Sequence, residues 1–284
     1  MIPCISQATT LSTPFDEDIA AYAMAGWSAV ESWLTKLETY LESHSIEQAR
    51  ELLDSSRIKA VAAASQGGLL LSRDAERAEH WDAFRRRLGL LRALEVPTLV
   101  VAVDFLRDLT ADDYGRAAGA IVEASALAKA EGVRIALEFQ KGARFCASLD
   151  TTLALIAQSG ADNVGVCLDL FHYYTGPSKF EDLAYLSPGN LAWVQVSDIS
   201  GVPRELAGDS DRIFPGEGDF QIGPILDHLA SIGYEGYLSL EVLNPQLWAI
   251  PPERVANAGR QAMDRLLDRR GSSSARFQPS RGVS

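Results

Sequence analysis

The chain has 284 residues, 47% of them hydrophobic, which is enough to bury a substantial core and falls in the size range of a one-domain α/β barrel. A formal net charge of −12 repels polyanions, so no nucleic acid is expected as a partner. There is no run of about eighteen apolar residues and no basic stretch leading into an apolar segment near Met1, so no membrane partner is expected. Cys4, Cys146 and Cys167 are odd in number and lack CxxC spacing, which fits a reduced, cytoplasmic setting better than a disulfide framework.

Short β-branched or apolar runs recur along the chain at Ile2–Ser6, Ala29–Ser32, Lys59–Ala63, Thr98–Val103, Arg134–Phe139, Val164–Asp169, Leu191–Ser197 and Tyr237–Val242. Their spacing of about 25 to 40 residues is that of βα repeats, and eight of them predict closure into a (β/α)8 TIM barrel. The segments between them read as outer helices. His80 to Leu94 places Trp81, Phe84, Leu88 and Leu91 at intervals of three and four, and Asp112 to Ala130 places Tyr114, Ala117, Ile121 and Leu127 on one stripe. Gly132 and Gly160 stand where a left-handed cap would end a helix shortly before a strand. An open doubly wound sheet is the competing architecture, but no GxGxxG follows the first strand. The barrel is taken as residues 1–268. The segment 269–284 is basic, poor in aliphatic residues and rich in Ser and Gly, and is expected to be a disordered tail.

The active site of a TIM barrel lies at the carboxyl ends of its strands, so polar residues there carry functional weight. That rule selects Glu138 in IALEF, Asp169 and His172 in VGVCLDLFH, Gln195 and Asp198 in WVQVSD, and Glu241 in YLSLEV. A carboxylate at the mouth of an apolar barrel loses solvation and needs a cation, a proton or hydrogen-bond donors. Three carboxylates and an amide oxygen make an oxygen-rich site, suited to Mn²⁺, Mg²⁺ or Co²⁺ more than to a thiolate-loving metal. Any one of these acids taken singly could instead pair with an arginine or cap a loop. Glu31, at the end of the second strand, is a further candidate for the cavity wall. His44, His80 and His228 fall on predicted helices and read as ordinary surface or core residues.

Six further segments carry a resemblance: ATTL at 8–11, LESHSIEQ at 41–48, VRIALEF at 133–139, NVGVCLDLFHYY at 163–174, DSDRIFPGEGDF at 209–220 and GYEGYLSLEVLNPQLW at 233–248. The chain resembles the sugar phosphate isomerase/epimerase family of xylose-isomerase-like TIM barrels, and within it the inosose (2-keto-myo-inositol) isomerases. The resemblance implies that Glu138, Asp169, Gln195 and Glu241 hold one divalent metal ion and that Glu138 and Glu241 also act as acid and base. It further implies that His172 faces the substrate and that Arg212 reaches a substrate oxygen; by itself, Arg212 would read as a loop ion pair with Glu217 or Asp219. Many relatives have His at the position of Gln195, whereas some hydroxypyruvate isomerases and 3-dehydroshikimate dehydratases have Gln. An amide oxygen is a harder, weaker donor than imidazole and shifts preference from Zn²⁺ toward Mn²⁺ or Mg²⁺.

Two glutamates approaching a keto-sugar from different strands can exchange a proton on either side of an enediolate while a metal polarises the carbonyl. The expected function is therefore isomerisation or epimerisation of a keto-sugar or keto-cyclitol. Dehydration of a substrate such as 3-dehydroshikimate is one alternative, and a barrel that binds a polyol without turning it over is another. The endonuclease branch of the superfamily needs more ligands than four histidines help to supply. Association into a homo-oligomer stays open.

Overall fold

The computed structural model describes residues 1–105 and 108–274. Eight parallel strands close in sequence order: β1 (Ile2–Ser6), β2 (Ala29–Trp33), β3 (Lys59–Gln66), β4 (Thr98–Ala102), β5 (Arg134–Glu138), β6 (Val164–Asp169), β7 (Leu191–Val196) and β8 (Tyr237–Leu240). β1 pairs with both β2 and β8, so the sheet has no free edge. This is the TIM barrel expected from the spacing of the apolar runs, and each run coincides with a strand.

Alternation along the strands divides the core in two. Outward residues such as Ile5, Val30, Leu99, Leu137 and Leu168 pack under the helices in one large buried cluster. Inward residues from seven strands, Cys4, Ala29, Ala62, Val100, Ala136, Cys167 and Trp193, form a smaller cluster inside the barrel. The helix at Asp74–Ala93 buries Trp81, Phe84, Leu88 and Leu91, as its periodicity predicts. The helix at Ala111–Ala130 buries Ala117 and Ile121, but Tyr114 is an exception to its stripe: it is 44% exposed and lies edge-on against Phe145, because it sits in the first turn, above the sheet. Gly132 and Gly160 both take the left-handed conformation that ends their helices.

His80 and His228 lie on helices, whereas His44 falls in the bend after the helix Leu34–Leu41, where its ring stacks on Tyr40. The last helix spans Pro252–Ser274 and so includes the first residues of the segment set aside as a tail; residues 275–284 of that segment lie outside the described residues. Among the described residues, no helix is long and apolar enough to cross a membrane.

Candidate active site at the barrel mouth

Strand geometry alone brings the polar residues together. Moving two residues along each strand from the inner apolar layer keeps the side chain on the same face and raises it one step toward the mouth. Ala29 is followed by Glu31, Ala136 by Glu138, Cys167 by Asp169, Trp193 by Gln195 and Ser239 by Glu241. Register aligns these positions laterally: Glu138 pairs with Cys167, Asp169 with Gln195, and Gln195 with Ser239. The result is a ring of polar side chains resting on an apolar plug. Glu31, Asp169, Gln195 and Glu241 are at most 3% exposed, and Glu138 is 7% exposed.

The ring borders a cavity of about 190 Å³, lined on its polar side by Gln66, Glu138, Gln140, His172, Gln195, Asp209, Arg212 and Glu241, and on its apolar side by residues including Trp33, Val100, Ala102 and Leu243. This is small beside ligand pockets of about 300–1,000 Å³ and suits a molecule of monosaccharide size. A larger groove of about 380 Å³ lies elsewhere, lined by residues including Arg50, Arg57 and Glu95, but its acids, Asp54 and Glu95, are exposed.

Within the ring the bonds are specific. Arg212 Nη1 donates to Asp169 Oδ2 at 2.8 Å and to Glu241 Oε2 at 3.2 Å, while its Nη2 donates to Asp209 Oδ1 at 2.8 Å. Asp169 Oδ1 accepts from the Phe171 amide at 2.6 Å and so caps the short helix that carries His172. His172 Nε2 lies 3.8 Å from both Glu138 Oε1 and Asp169 Oδ2. Glu138 Oε2 accepts from Gln140 Nε2 at 2.8 Å. Glu31 accepts from Trp193 Nε1 at 2.9 Å and from Gln195 Nε2 at 2.8 Å. The same Gln195 nitrogen donates to Glu241 Oε1 at 2.9 Å, and its oxygen accepts from the Cys167 thiol at 3.1 Å.

Arg212 comes from the long connection after β7, and Asp198 ties that connection down. Its two carboxylate oxygens accept from the amides of Ile199, Gly216, Gly218 and Phe220 at 2.9–3.1 Å. Residue 218 must be glycine, because a Cβ there would lie 2.1 Å from the Ile199 carbonyl oxygen. Asn244 Nδ2 bonds to the Arg212 carbonyl at 2.9 Å. With both its backbone and its guanidinium held, Arg212 is 1% exposed.

Four buried acids thus gather near one guanidinium, which bonds to two of them, Asp169 and Glu241. Burial pushes the Glu138 carboxyl well above its usual range, the Asp169 charge adds to this, and Arg212 offsets it only in part. Burial likewise raises Glu241 against the pull of Arg212, and raises Glu31 despite donors from Trp193 and Gln195. Burial would raise Asp169 too, but Arg212 and then His172 outweigh it and hold that carboxyl below its ordinary value. Burial pushes His172 down to about 4, so the ring is neutral at physiological pH. For Arg212, burial is outweighed by Asp169, Glu241 and Asp209, which hold it charged.

The donor set fits a hard divalent cation. Carboxylate oxygens of Glu138 and Asp169 and a ring nitrogen of His172 lie within 4.8 Å of one another, Glu241 shares Arg212 with Asp169, and a cation would relieve the excess negative charge. Of the four ligands anticipated from the sequence, Glu138, Gln195 and Glu241 border the cavity together with His172 and Arg212, whereas Asp169 lies behind them, fully buried and bonded to Arg212. Gln195 turns its nitrogen rather than its oxygen toward Glu241 and Glu31, and its oxygen toward the Cys167 thiol. Glu31, although part of the ring, is not on the cavity wall; it is buried against Trp193 and Gln195. Arg212 bonds to Asp169, Glu241 and Asp209, not to Glu217 or Asp219; Glu217 pairs with Arg265 at 3.3 Å. Sequence reasoning missed Asp209, whose place three residues before Arg212 in DSDR was the available signal, and the Cys167 thiol, which had none.

Comparison with known proteins agrees with this architecture. The inosose isomerase of Halalkalibacterium halodurans is 26% identical over 267 residues, covering 90% of this chain and 93% of that protein. The 3-dehydroshikimate dehydratase of Pseudomonas putida is 25% identical over 264 residues, covering 89% of this chain and 40% of that protein. Among solved structures, that of the IOLI protein with a binding zinc atom superposes with a TM-score of 0.88 at 23% identity, covering 95% of this chain and 99% of that one. A family profile matches residues 19–266, and the chain belongs to the xylose isomerase-like TIM barrel family.

Proposed function

We propose that the chain is a divalent-metal-dependent isomerase or epimerase of an uncharged polyhydroxylated ketone, a keto-sugar or a keto-cyclitol of the inosose kind. The observation that carries this reading is the pair Glu138 and Glu241: two buried carboxyls raised above their ordinary range, facing one small cavity from the non-adjacent strands β5 and β8. A carboxyl so raised holds a proton more readily than a free one, and its partner can accept one, which is what moving a proton beside a carbonyl requires. Glu138, Asp169 and Glu241 would hold the ion, and Gln195 would join them as a neutral fourth donor only by turning its amide, whose oxygen here faces the Cys167 thiol; the ion would polarise the substrate carbonyl. Glu138 and Glu241 remove and return the proton. His172, neutral and buried beside Glu138, offers a hydrogen bond to a substrate oxygen, and Arg212 keeps Asp169 and Glu241 in place.

Charge selects the substrate class. Among the described residues lining the cavity, Arg212 is the only Arg or Lys, and three acids already occupy it. A phosphate or carboxylate on the substrate would enter an acidic cavity without a free cation, at a desolvation cost that a hydroxylated neutral ketone avoids. This weighs against 3-dehydroshikimate, a carboxylate. A dehydratase remains the second reading because Gln195 matches the amide found in some of those enzymes and a dehydratase is among the relatives. A polyol-binding barrel without turnover has no use for two acid/base glutamates.

The test is solvent exchange in deuterated water with Mn²⁺ or Mg²⁺, using inososes, ketoses, hydroxypyruvate and 3-dehydroshikimate. Metal-dependent deuterium incorporation beside the carbonyl of a neutral ketone, without loss of water, is the expected result. A new ultraviolet absorbance from an unsaturated product would replace it with the dehydratase, and inertness of the whole panel would leave only the binding barrel.

A further inference from the structure

Ser65 lies at the mouth end of β3 with φ +79°, a conformation that L-residues other than Asn and Asp seldom adopt. The register with β4 shifts between Ala63 and Gln66, so the strand is bulged at this point. In a regular strand only alternate residues would face the interior. Here Ala64, Ser65 and Gln66 all line the cavity, and the left-handed residue is what brings the middle one there. Ser65 is partly exposed, and no hydrogen bond to its hydroxyl is recorded among the described residues.

The surroundings hold this turn from two sides. Arg87, on the helix Asp74–Ala93, donates through Nη1 to the Ser65 carbonyl at 2.9 Å and to Gln66 Oε1 at 3.1 Å. Its Nε and Nη2 grip Glu38 in a bidentate pair at 2.7 and 2.9 Å, which fixes the direction of the fork. Beyond the turn, Asp104 accepts from the amides of Gly68 and Ser72 at 2.9 and 3.2 Å. Strain that is over-determined in this way at a cavity wall points to use, because glycine at position 65 would adopt the same backbone without penalty.

We propose that Ser65 is a substrate-contacting, specificity-determining residue whose hydroxyl bonds a hydroxyl of the bound polyol, and that Arg87 is its positioning residue. The proposal rests on the mouth cavity being the substrate site. A serine hydroxyl can both donate and accept, which matches a neutral polyol and adds no charge to an acidic cavity. It also explains why the position carries Ser rather than the conformationally easier Gly.

The experiment measures the dissociation constant of myo-inositol, an unreactive polyol probe, for the Mn²⁺-loaded protein by calorimetry, together with Tm and with KM and kcat for an inosose. Ser65→Ala keeps the strained backbone and removes only the hydroxyl: Kd and KM should rise about fivefold, as loss of one hydrogen bond implies, with kcat and Tm nearly unchanged. Ser65→Gly should weaken binding by a similar factor while raising Tm by a few degrees. Arg87→Lys should raise Kd about threefold in the wild type and add nothing in Ser65→Gly, where there is no hydroxyl left to aim. Unchanged Kd and KM in Ser65→Ala overturn the proposal, and equal effects of Arg87→Lys in both backgrounds overturn the part given to Arg87. Wild-type protein that binds myo-inositol but neither converts an inosose nor promotes its exchange fails the isomerase reading and leaves Ser65 standing on Kd. Protein that binds no polyol fails both.

Discussion

Asp18 and Glu241 are both buried acids of this barrel, yet their surroundings differ in kind. Asp18 accepts from Thr10 Oγ1 at 2.7 Å and from Gln7 Nε2 at 3.1 Å, and is paired with Lys36, itself largely buried. One acid meets one cation and two neutral donors, although burial still raises its carboxyl to about 7. Glu241 shares a single guanidinium with Asp169, and Glu138 and Glu31 lie close by. Burial alone therefore does not single out the acids of the proposed site. What distinguishes them is an imbalance at a cavity wall: Asp18 has a cation of its own in Lys36, on the helix after β2, and so links the first two βα units, while at the proposed site Asp169, Glu241 and Asp209 share Arg212.

The largest effect should come from breaking the mouth. Glu138→Ala and Glu241→Ala should each lower turnover by roughly 10²–10⁴-fold, as loss of a general acid or base does, with reduced metal content by elemental analysis. Full turnover with metal bound in either variant would remove that residue from the ligand and acid/base set. Breaking the Asp18 cluster should give the opposite pattern. Asp18→Ala leaves Lys36 buried without its partner and should cost about 3–5 kcal/mol of stability, read by denaturant unfolding, while metal affinity stays at the wild-type value. A fall in metal affinity there would mean that the two clusters are coupled.

A subtler change exchanges one neutral donor for another. Gln195→His should preserve metal binding and raise the Zn²⁺ to Mn²⁺ affinity ratio, because imidazole is the softer ligand. A competition titration giving an unchanged ratio would place Gln195 outside the ligand set and leave it as the donor that holds Glu241. The smallest effect concerns pH. In metal-free protein, unfolded His172 gains a proton below about 6.5, whereas the buried ring does so only near 4. Its contribution is present above that window and is lost as pH falls through it. His172→Gln should therefore show a flatter decline of Tm than the wild type between pH 6.5 and 4, and parallel curves would refute the shift.

The contrast between the two clusters also accounts for what the sequence revealed. Strand positions were legible because the buried strands are apolar runs, several of them with a polar residue at or near the end, and period-two alternation then carries Glu138, Asp169, Gln195 and Glu241 to one ring. Arg212 was legible as a motif but not as the partner of Asp169 and Glu241, because its place depends on Asp198 binding four amides of a folded loop. Glu31 was ambiguous: the register that puts it against Gln195 rather than in the cavity comes from closure of the barrel, which no local pattern records. Ser65 left no signal, since AAASQGG contains nothing that distinguishes a left-handed serine from an extended one.

The mouth gathers more acids than Arg212 can neutralise, and calorimetric titration of Mn²⁺ into chelator-stripped protein shows whether a divalent ion makes up the difference. One ion should bind per chain, with binding weakened in Glu241→Ala and retained in Asp18→Ala. Absence of stoichiometric binding by folded wild-type protein at neutral pH, with all four mouth acids intact, would contradict it.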